Sequence, residues 1–500
     1  MEAARIVNVF VLNAGSSSIK AAYFAGERWF ADGVPAWSAN VRWSKTPSRA
    51  ALQWATPHEE RSIDIAVDDR GAAMTALVAI ARETAAIAPQ IIGHRVVHGL
   101  GESRCALVDA RVRGVIEAAV ELAPAHNRAA LAGIDACAAA FPDVPQAADF
   151  DTAFHSTLPD EAAAYALPYA WFVTRGIRRY GFHGISHRYC ARRTAEVLER
   201  DPVGLRIVSA HLGNGASLAA IVDGASVDTT MGFTPLDGLM MGSRSGSVDP
   251  GLVLHLLRTN AYCVADLDRI FNTESGLAGV SEISQDVREV ITAAERGLPS
   301  ARLALDLYVH RVSAGIAAMT VAAGGIDALA FTGGIGEGSA YIRDRVCSRL
   351  AFLGIVTGAD GTGSALDREI GEARGRVRVV VVHAREELAI ARDISRLLGK
   401  GGTARLIAIE VRGERLRMSD SEVPMETKRS VDHHHSAATH HRAAADYHDL
   451  AASAYAEGLH ERAAHYALLA HAHMQHAGQF MSDAAKIHAE QHGGNKHARS

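Results

Sequence analysis

The chain predicts an α/β fold. Short β-rich runs at residues 6–12, 207–210, 328–331 and 377–382 alternate with long Ala-rich stretches of helical period, and that alternation continues to about residue 400. At 500 residues with 48% apolar content the chain is too long for a single hydrophobic core, so at least two globular domains are expected.

The first β-rich run leads into VFVLNAGSSSIKAAYF, and a second segment, IVSAHLGNGASLAAIVDG, repeats the plan: an apolar strand, a Gly/Ser/Asn turn, a second strand. Glycine lets backbone N–H groups crowd close to an anion, and serine and asparagine add donors, so each turn suits a phosphate as well as an ordinary hairpin. A third glycine cluster, LAFTGGIGEGSA, follows a strand and opens a helical stretch, where bare backbone leaves room for a flat nucleoside. Neither the GxxxxGK[ST] loop nor GxGxxG followed by an acid occurs, which disfavours the P-loop and Rossmann solutions to nucleotide binding.

Composition excludes several classes. With 51 Lys plus Arg against 56 Asp plus Glu, there is no charge excess of the kind that marks nucleic-acid or membrane-surface binders, so small partners are expected. Five scattered cysteines without a CxxC point to a reducing cytoplasm and away from a disulfide framework. No segment approaches the run of about 18 to 20 apolar residues that a membrane helix needs, and the N-terminal apolar stretch reads as a strand, not a signal peptide.

Taken together, NAGSSSIK, GHRVVHG, ELAPAHN, DFDTAFHSTLP, RRYGFHGISH, HLGNGAS, DTTMGFTPLDGLMMGSRSGSVDP, AFTGGIGE and EELAIARD resemble, in order, the signature blocks of the acetate kinase family across residues 8 to about 393. The resemblance implies the acetate and sugar kinase, Hsp70 and actin superfamily: two duplicated actin-like, ribonuclease H-like α/β domains with a nucleotide cleft between them. It places the first domain at 1–151 plus 384–400 and the second, nucleotide-binding domain at 152–383. It implies phosphoryl transfer between ATP and acetate, giving ADP and acetyl phosphate, with Mg²⁺ or Mn²⁺, in a homodimer. A propionate or butyrate kinase and a non-catalytic nucleotide-binding scaffold are the alternatives.

Acetate needs no general base, because a carboxylic acid with a pKa of about 4.3 is already an anion at neutral pH. The barrier is bringing anion to anion, and positive charge with in-line positioning lowers it. By resemblance Arg95 and Arg244 flank the transferring group, His183 donates to its oxygens, and Asp151 orients metal and phosphates. Guanidinium forks suit both carboxylate and phosphate. Asn13 and Glu386 match the metal-associated positions, and hard oxygen donors suit Mg²⁺. Ser16, Ser18, Lys20, His126, His187, His211, Asn214 and Gly215 match phosphate-site neighbours. Asp286, Arg288, Gly334, Ile335 and Gly336 match the nucleoside pocket. Val97, Ala125, Phe182 and Pro235 match the acyl pocket, where Ala125 replaces the usual leucine, so the pocket is expected to be enlarged and propionate to be used nearly as well as acetate.

The chain departs from the family pattern in three places. Ala384 and Arg385 precede Glu386 where Thr-Asn is usual, Gly338 stands for Asn, and HGLGES carries one residue more than the common HGGE. Composition shifts after Gly401. Residues 403–438 read as a linker and 439–493 as a His-rich helical hairpin, broken at Gly458 and Gly478, with weakly tetratricopeptide-like spacing. Fourteen of the 25 histidines lie after Gly401; His488 and His492 share a helical face, which suits a divalent transition metal or simply a solvated tail of unknown partner.

Overall fold

The computed structural model describes residues 7–399, apart from 16–17, 27–28, 30–31, 44–47, 68, 86–87, 359–366 and 373, together with residues 452 and 474. Apart from residues 452 and 474, the expected linker and His-rich hairpin therefore lie outside the described residues.

Two sheets organise the chain. The first is built from β1 (Val9–Ala14), β2 (Ser18–Phe24), β3 (Trp37–Trp43), β4 (Arg49–Ala55), β5 (Glu60–Ala66), β6 (Ile91–Val96), β7 (Ala106–Leu107) and β8 (Gln146–Phe150), in the order β5-β4-β3-β2-β1-β6-β8-β7. The second is built from β9 (Arg206–Leu212), β10 (Ala216–Val222), β11 (Ala225–Thr229), β12 (Ala328–Thr332), β13 (Arg368–Glu369) and β14 (Arg378–Val381), in the order β11-β10-β9-β12-β14-β13. Central strands β1 and β12 are buried along their whole length, as strands covered on both faces are. Strands β3 and β4 alternate buried and accessible residues, the pattern of a sheet covered on one face.

The two sheets repeat one topology. In the first, β1 pairs antiparallel with β2 and parallel with β6, and β6 pairs parallel with β8. In the second, β9 pairs antiparallel with β10 and parallel with β12, and β12 pairs parallel with β14. Each hairpin turn falls at the same corner of its sheet, between Ala14 and Ile19 in one and between Leu212 and Ala216 in the other.

Two helices fill the space between the sheets. Residues Glu386–Gly399 pack on β1, β6 and β8, residues Gly184–Val197 pack on β9 and β12, and the helices pack on each other. Their apolar faces join both sheets in one buried cluster that includes Val9, Ile91, Ile185, Ile207, Ala330 and Ile390. Gly93 makes the approach possible: a Cβ there would stand 2.3 Å from Ile394 Cδ1 and 3.0 Å from Ile390 Cγ2. The glycine of GHRVVHG thus seats the helix that begins with Glu386 directly on β6.

Candidate active site

The strand ends and turns of both sheets enclose one polar cavity of about 260 Å³. From the first half come Asn13 and Gly15 at the end of β1, Lys20 on β2, Arg95 and Val97 around the end of β6, His126 and Asp151. From the second come Phe182, His183, His211, Gly213, Asn214, Gly215, Pro235, Arg244, Gly333 and Gly334, with Ala384, Glu386 and Glu387 closing the ring. The crevice beyond the carboxyl ends of parallel strands is where open α/β sheets bind ligands.

Arg95 is tied to three elements at once. Its Nη2 donates to Asp151 Oδ2 at 2.7 Å, and its Nη1 lies 3.2 Å from both Asn13 Oδ1 and Glu386 Oε2. Burial works against the charge, but Asp151 and Glu386 hold the guanidinium above its ordinary pKa. Asn13 Nδ2 in turn donates to Glu386 Oε2 at 2.9 Å and Glu387 Oε1 at 2.8 Å. Burial also opposes the Glu386 charge, and Arg95, His211, Asn13 and Lys20 together lower its pKa to about 2. Burial raises the Asp151 carboxyl while Arg95 pulls it back down.

His183 occupies the left-handed region at φ 55° as the residue that opens the Gly184–Val197 helix. Few non-glycine residues adopt that conformation without a structural reason. Its Nδ1 is 2.8 Å from Ser217 Oγ, which is 2.7 Å from His187 Nε2, and His187 Nδ1 is 2.9 Å from Ser209 Oγ. His211 stacks on His183 at 4.3 Å between centroids. Burial first, then His211, Arg95, His187 and Arg244, keep His183 far below the usual histidine pKa. It is neutral at physiological pH, with Nδ1 anchored and Nε2 turned toward the cavity.

Arg244 is differently placed. Its Nη1 donates to the Pro235 carbonyl at 2.7 Å, and no carboxylate among the described residues forms an ion pair with it. Burial and the nearby Arg95 lower its pKa to about 10, which leaves it charged at neutral pH. A Cβ on Gly215 would lie 2.8 Å from Arg244 Nη2 and 3.1 Å from His183 Nε2. The two donors therefore meet over a bare stretch of backbone. A half-buried cation without a counter-ion, beside a neutral imidazole and glycine turns, is an arrangement built to receive an anion.

Among the described residues, no three of His, Cys, Asp and Glu converge into a metal cage. Asn13, Asp151 and Glu386 nevertheless place an amide and two carboxylates on one side of the cavity. Such a sparse, hard oxygen set fits a cation that keeps waters and takes its remaining ligands from a bound phosphate.

A family model for the Acetokinase family matches residues 8–392. The chain belongs to the acetokinase family. It is 47% identical over 400 residues to the acetate kinase of Gloeobacter violaceus, covering 77% of this chain and 98% of that relative. It is 45% identical over 406 residues to the acetate kinase of Trichormus variabilis, covering 79% and 100%. Among solved structures, it is similar to the Porphyromonas gingivalis acetate kinase with a TM-score of 0.70 at 36% identity, over 78% of this chain and 100% of that one. It is equally similar to a propionate kinase from Francisella tularensis, with a TM-score of 0.71 at 35% identity over 77% and 98%. The acetokinase fold is thus the one the duplicated sheets build.

Not every acetokinase-like position reaches the cavity. Ala125 is a correction: it is exposed in the first turn of the Pro124–Ala140 helix and does not line the cavity, whereas its neighbour His126 does. One residue is about 100° of helical rotation, enough to turn Ala125 off the face that His126 presents. Val97, Phe182 and Pro235 do line it. His187 sits one layer behind His183. Asp286 caps the Val287–Glu295 helix and pairs with Arg288, and Arg288 lines a separate open groove of about 750 Å³ with Ile283 and Leu298. Gly334 lines the central cavity, while Ile335 and Gly336 are buried behind it. Ser16 lies outside the described residues; Ser18 begins β2.

Two acids escaped the sequence reading. Glu387 shares Asn13 with Glu386, and Glu337 Oε1 accepts from the backbone N–H groups of Gly333 and Ala384, each at 2.9 Å. Glu337 so joins the third glycine turn to the segment leading into Glu386. Arg385 lines a neighbouring groove near Gly33, together with Glu387, and only Ala384 of the unusual pair faces the central cavity.

Proposed function

We propose that this acetokinase-family chain is an acetate kinase that transfers the γ-phosphoryl group of ATP directly and reversibly to acetate, giving acetyl phosphate and ADP. The observation that carries the reading is the unpaired Arg244 guanidinium meeting His183 Nε2 over Gly215. Relatives named acetate kinase at 45–47% identity support it.

In this reading the carboxylate lies against Val97, Phe182 and Pro235 with its charge on Arg244. One carboxylate oxygen attacks the γ-phosphorus, the bond to the β-phosphate oxygen breaks, and that electron pair leaves with ADP. Arg244 and neutral His183 donate to the equatorial oxygens as charge spreads over them, which is where electrostatic stabilisation acts. Arg95 draws Asn13, Asp151 and Glu386 into one rigid group. Asn13, Asp151 and Glu386 would hold Mg²⁺, or Mn²⁺ in its place, which supplies positive charge to the phosphates. Lys20 and the turn at Asn214 and Gly215 cradle the phosphates, and the backbone at Gly334 to Gly336 with Asp286 and Arg288 takes the nucleoside.

The duplicated topology supports domains at 1–151 with 384–400 and at 152–383. A homodimer is supported by the Pro250–Arg258 helix, an apolar segment with no buried residue, and by Tyr262 and Val264 exposed beside it. Five free cysteines suit a cytoplasmic protein. A hydroxamate trap assay with ATP, Mg²⁺ and a panel of carboxylates tests the function. Highest kcat/KM with acetate supports it; a maximum at propionate or butyrate moves the assignment to a longer-chain kinase. No carboxylate-dependent turnover would favour a nucleotide-binding scaffold.

A further inference from the structure

Asp149 is a carboxylate with no accessible surface, set in β8 two residues before Asp151. Side chains alternate along the strand, so Ala148 and Phe150 enter the core on one face while Ala147 and Asp149 point the other way, toward the helices between the sheets. There Asp149 Oδ2 accepts from Arg188 Nη2 at 3.1 Å, and the same nitrogen also donates to Asp393 Oδ2. Asp149 Oδ1 has no hydrogen-bond partner among the described residues. A buried acid left half satisfied is costly, and apolar packing would serve stability as well or better. Something other than stability is the natural use of such a group.

The three members sit on the three elements that carry the proposed chemistry. Asp149 shares its strand end with Asp151. Arg188 lies in the helix opened by His183. Asp393 lies seven residues after Glu386, two turns along the same face of its helix. At the cavity end the Gly184 N–H donates to the Asp151 carbonyl at 3.0 Å and Arg95 joins Asp151 to Glu386, but deeper between the helices the contact is apolar and small-residue packing, such as Ile185, Ala389 and Ala391, which sets distance better than it sets register.

We propose that Arg188, clasping Asp149 and Asp393, is a positioning residue that fixes the register of Asp151, His183 and Glu386 with respect to one another. It touches no reacting atom and does not line the cavity. Loss of the clasp lets the donor helix and the carboxylate elements slide by fractions of an ångström, which misaligns transfer more than it weakens ground-state binding. The inference rests on the phosphotransfer reading above.

The test replaces the triad by apolar side chains: Asp149→Val, Arg188→Met and Asp393→Leu combined, assayed beside the full-length wild type. A charged cluster built on a buried acid, exchanged for hydrophobic residues, commonly keeps or raises stability. The expected result is a Tm at or above that of the wild type, kcat lower by at least tenfold, and KM for ATP and carboxylate within threefold. Arg188→Lys, which keeps the charge but lacks the fork, is the second variant, expected between the two in kcat with unchanged KM. A folded triple variant, or Arg188→Lys, with wild-type kcat overturns the inference alone. A wild type without carboxylate-dependent turnover overturns the phosphotransfer reading and the inference with it.

Discussion

Arg244 donates to the backbone carbonyl of Pro235 at 2.7 Å and is charged, half-buried and without an ion-pair partner among the described residues. The carbonyl fixes one arm of the guanidinium and leaves the other facing the cavity. Replacing Arg244 by Gln is expected to lower kcat by at least about a hundredfold, the usual loss for a transition-state donor. Because a half-buried charge without a counter-ion disappears, Tm should stay level or rise. Steady-state kinetics and a thermal melt on one preparation check both; near-normal turnover removes Arg244 from the site.

Gly215→Ala probes the same space from the backbone. The new methyl would stand 2.8 Å from Arg244 Nη2 and 3.1 Å from His183 Nε2. Those side-chain ends can move aside, so the fold should survive, but the anion position is then occupied. The expected outcome is kcat/KM reduced by roughly tenfold or more with unchanged Tm. A variant as active as the wild type would show that the donors meet elsewhere.

Much of this arrangement was legible because the functional groups sit where strands stop. Arg95, His211 and Asn214 follow or end apolar runs, and glycine turns mark those ends in the sequence. The strands at Arg206–Leu212 and Ala328–Thr332 likewise fall where the apolar runs placed them. Rotation about a helix axis was not legible. Ala125 and His126 are neighbours in sequence yet face different surroundings, and Glu386 and Glu387 both reach Asn13 because of where their helix begins. The β3–β4–β5 meander went unnoticed because its alternation of Trp, Ala and polar residues is weak beside the fully apolar central strands.

The exposure of Ala125 changes the expectation for substrate size. Ala125→Leu should leave the propionate-to-acetate ratio of kcat/KM within about twofold, whereas Val97→Ala opens the cavity lining itself. At about 0.8 kcal/mol per buried methylene, that change should move the ratio toward propionate by roughly fourfold. Measuring both acids on both variants decides; a shift with Ala125→Leu and none with Val97→Ala would reverse the assignment.

Buried neutral histidines set the acid limit of stability. Burial lowers His94, 2.6 Å from Gln146 Oε1, and His155, 2.8 Å from Ser226 Oγ, to about 4 each. The unfolded chain binds their protons at about 6.5, so between those values it holds more protons than the folded state. Their stabilising effect is complete above about pH 6.5 and is lost as pH falls toward 4, on the order of 3 kcal/mol for each group. Urea midpoints should drop between pH 7 and pH 5, and His94→Gln should reduce that drop. An unchanged slope in the variant would contradict this origin.

The central claim is that this chain joins the γ-phosphoryl group of ATP to a short carboxylate at the cavity shared by the two sheets. Phosphorus NMR of the purified chain with ATP, Mg²⁺ and acetate observes that bond directly. The expected spectrum shows an acyl phosphate resonance growing in step with ADP, absent without acetate and at least about a hundredfold slower to appear with Arg244→Gln. ADP accompanied only by inorganic phosphate, at a rate indifferent to any added carboxylate, would contradict it.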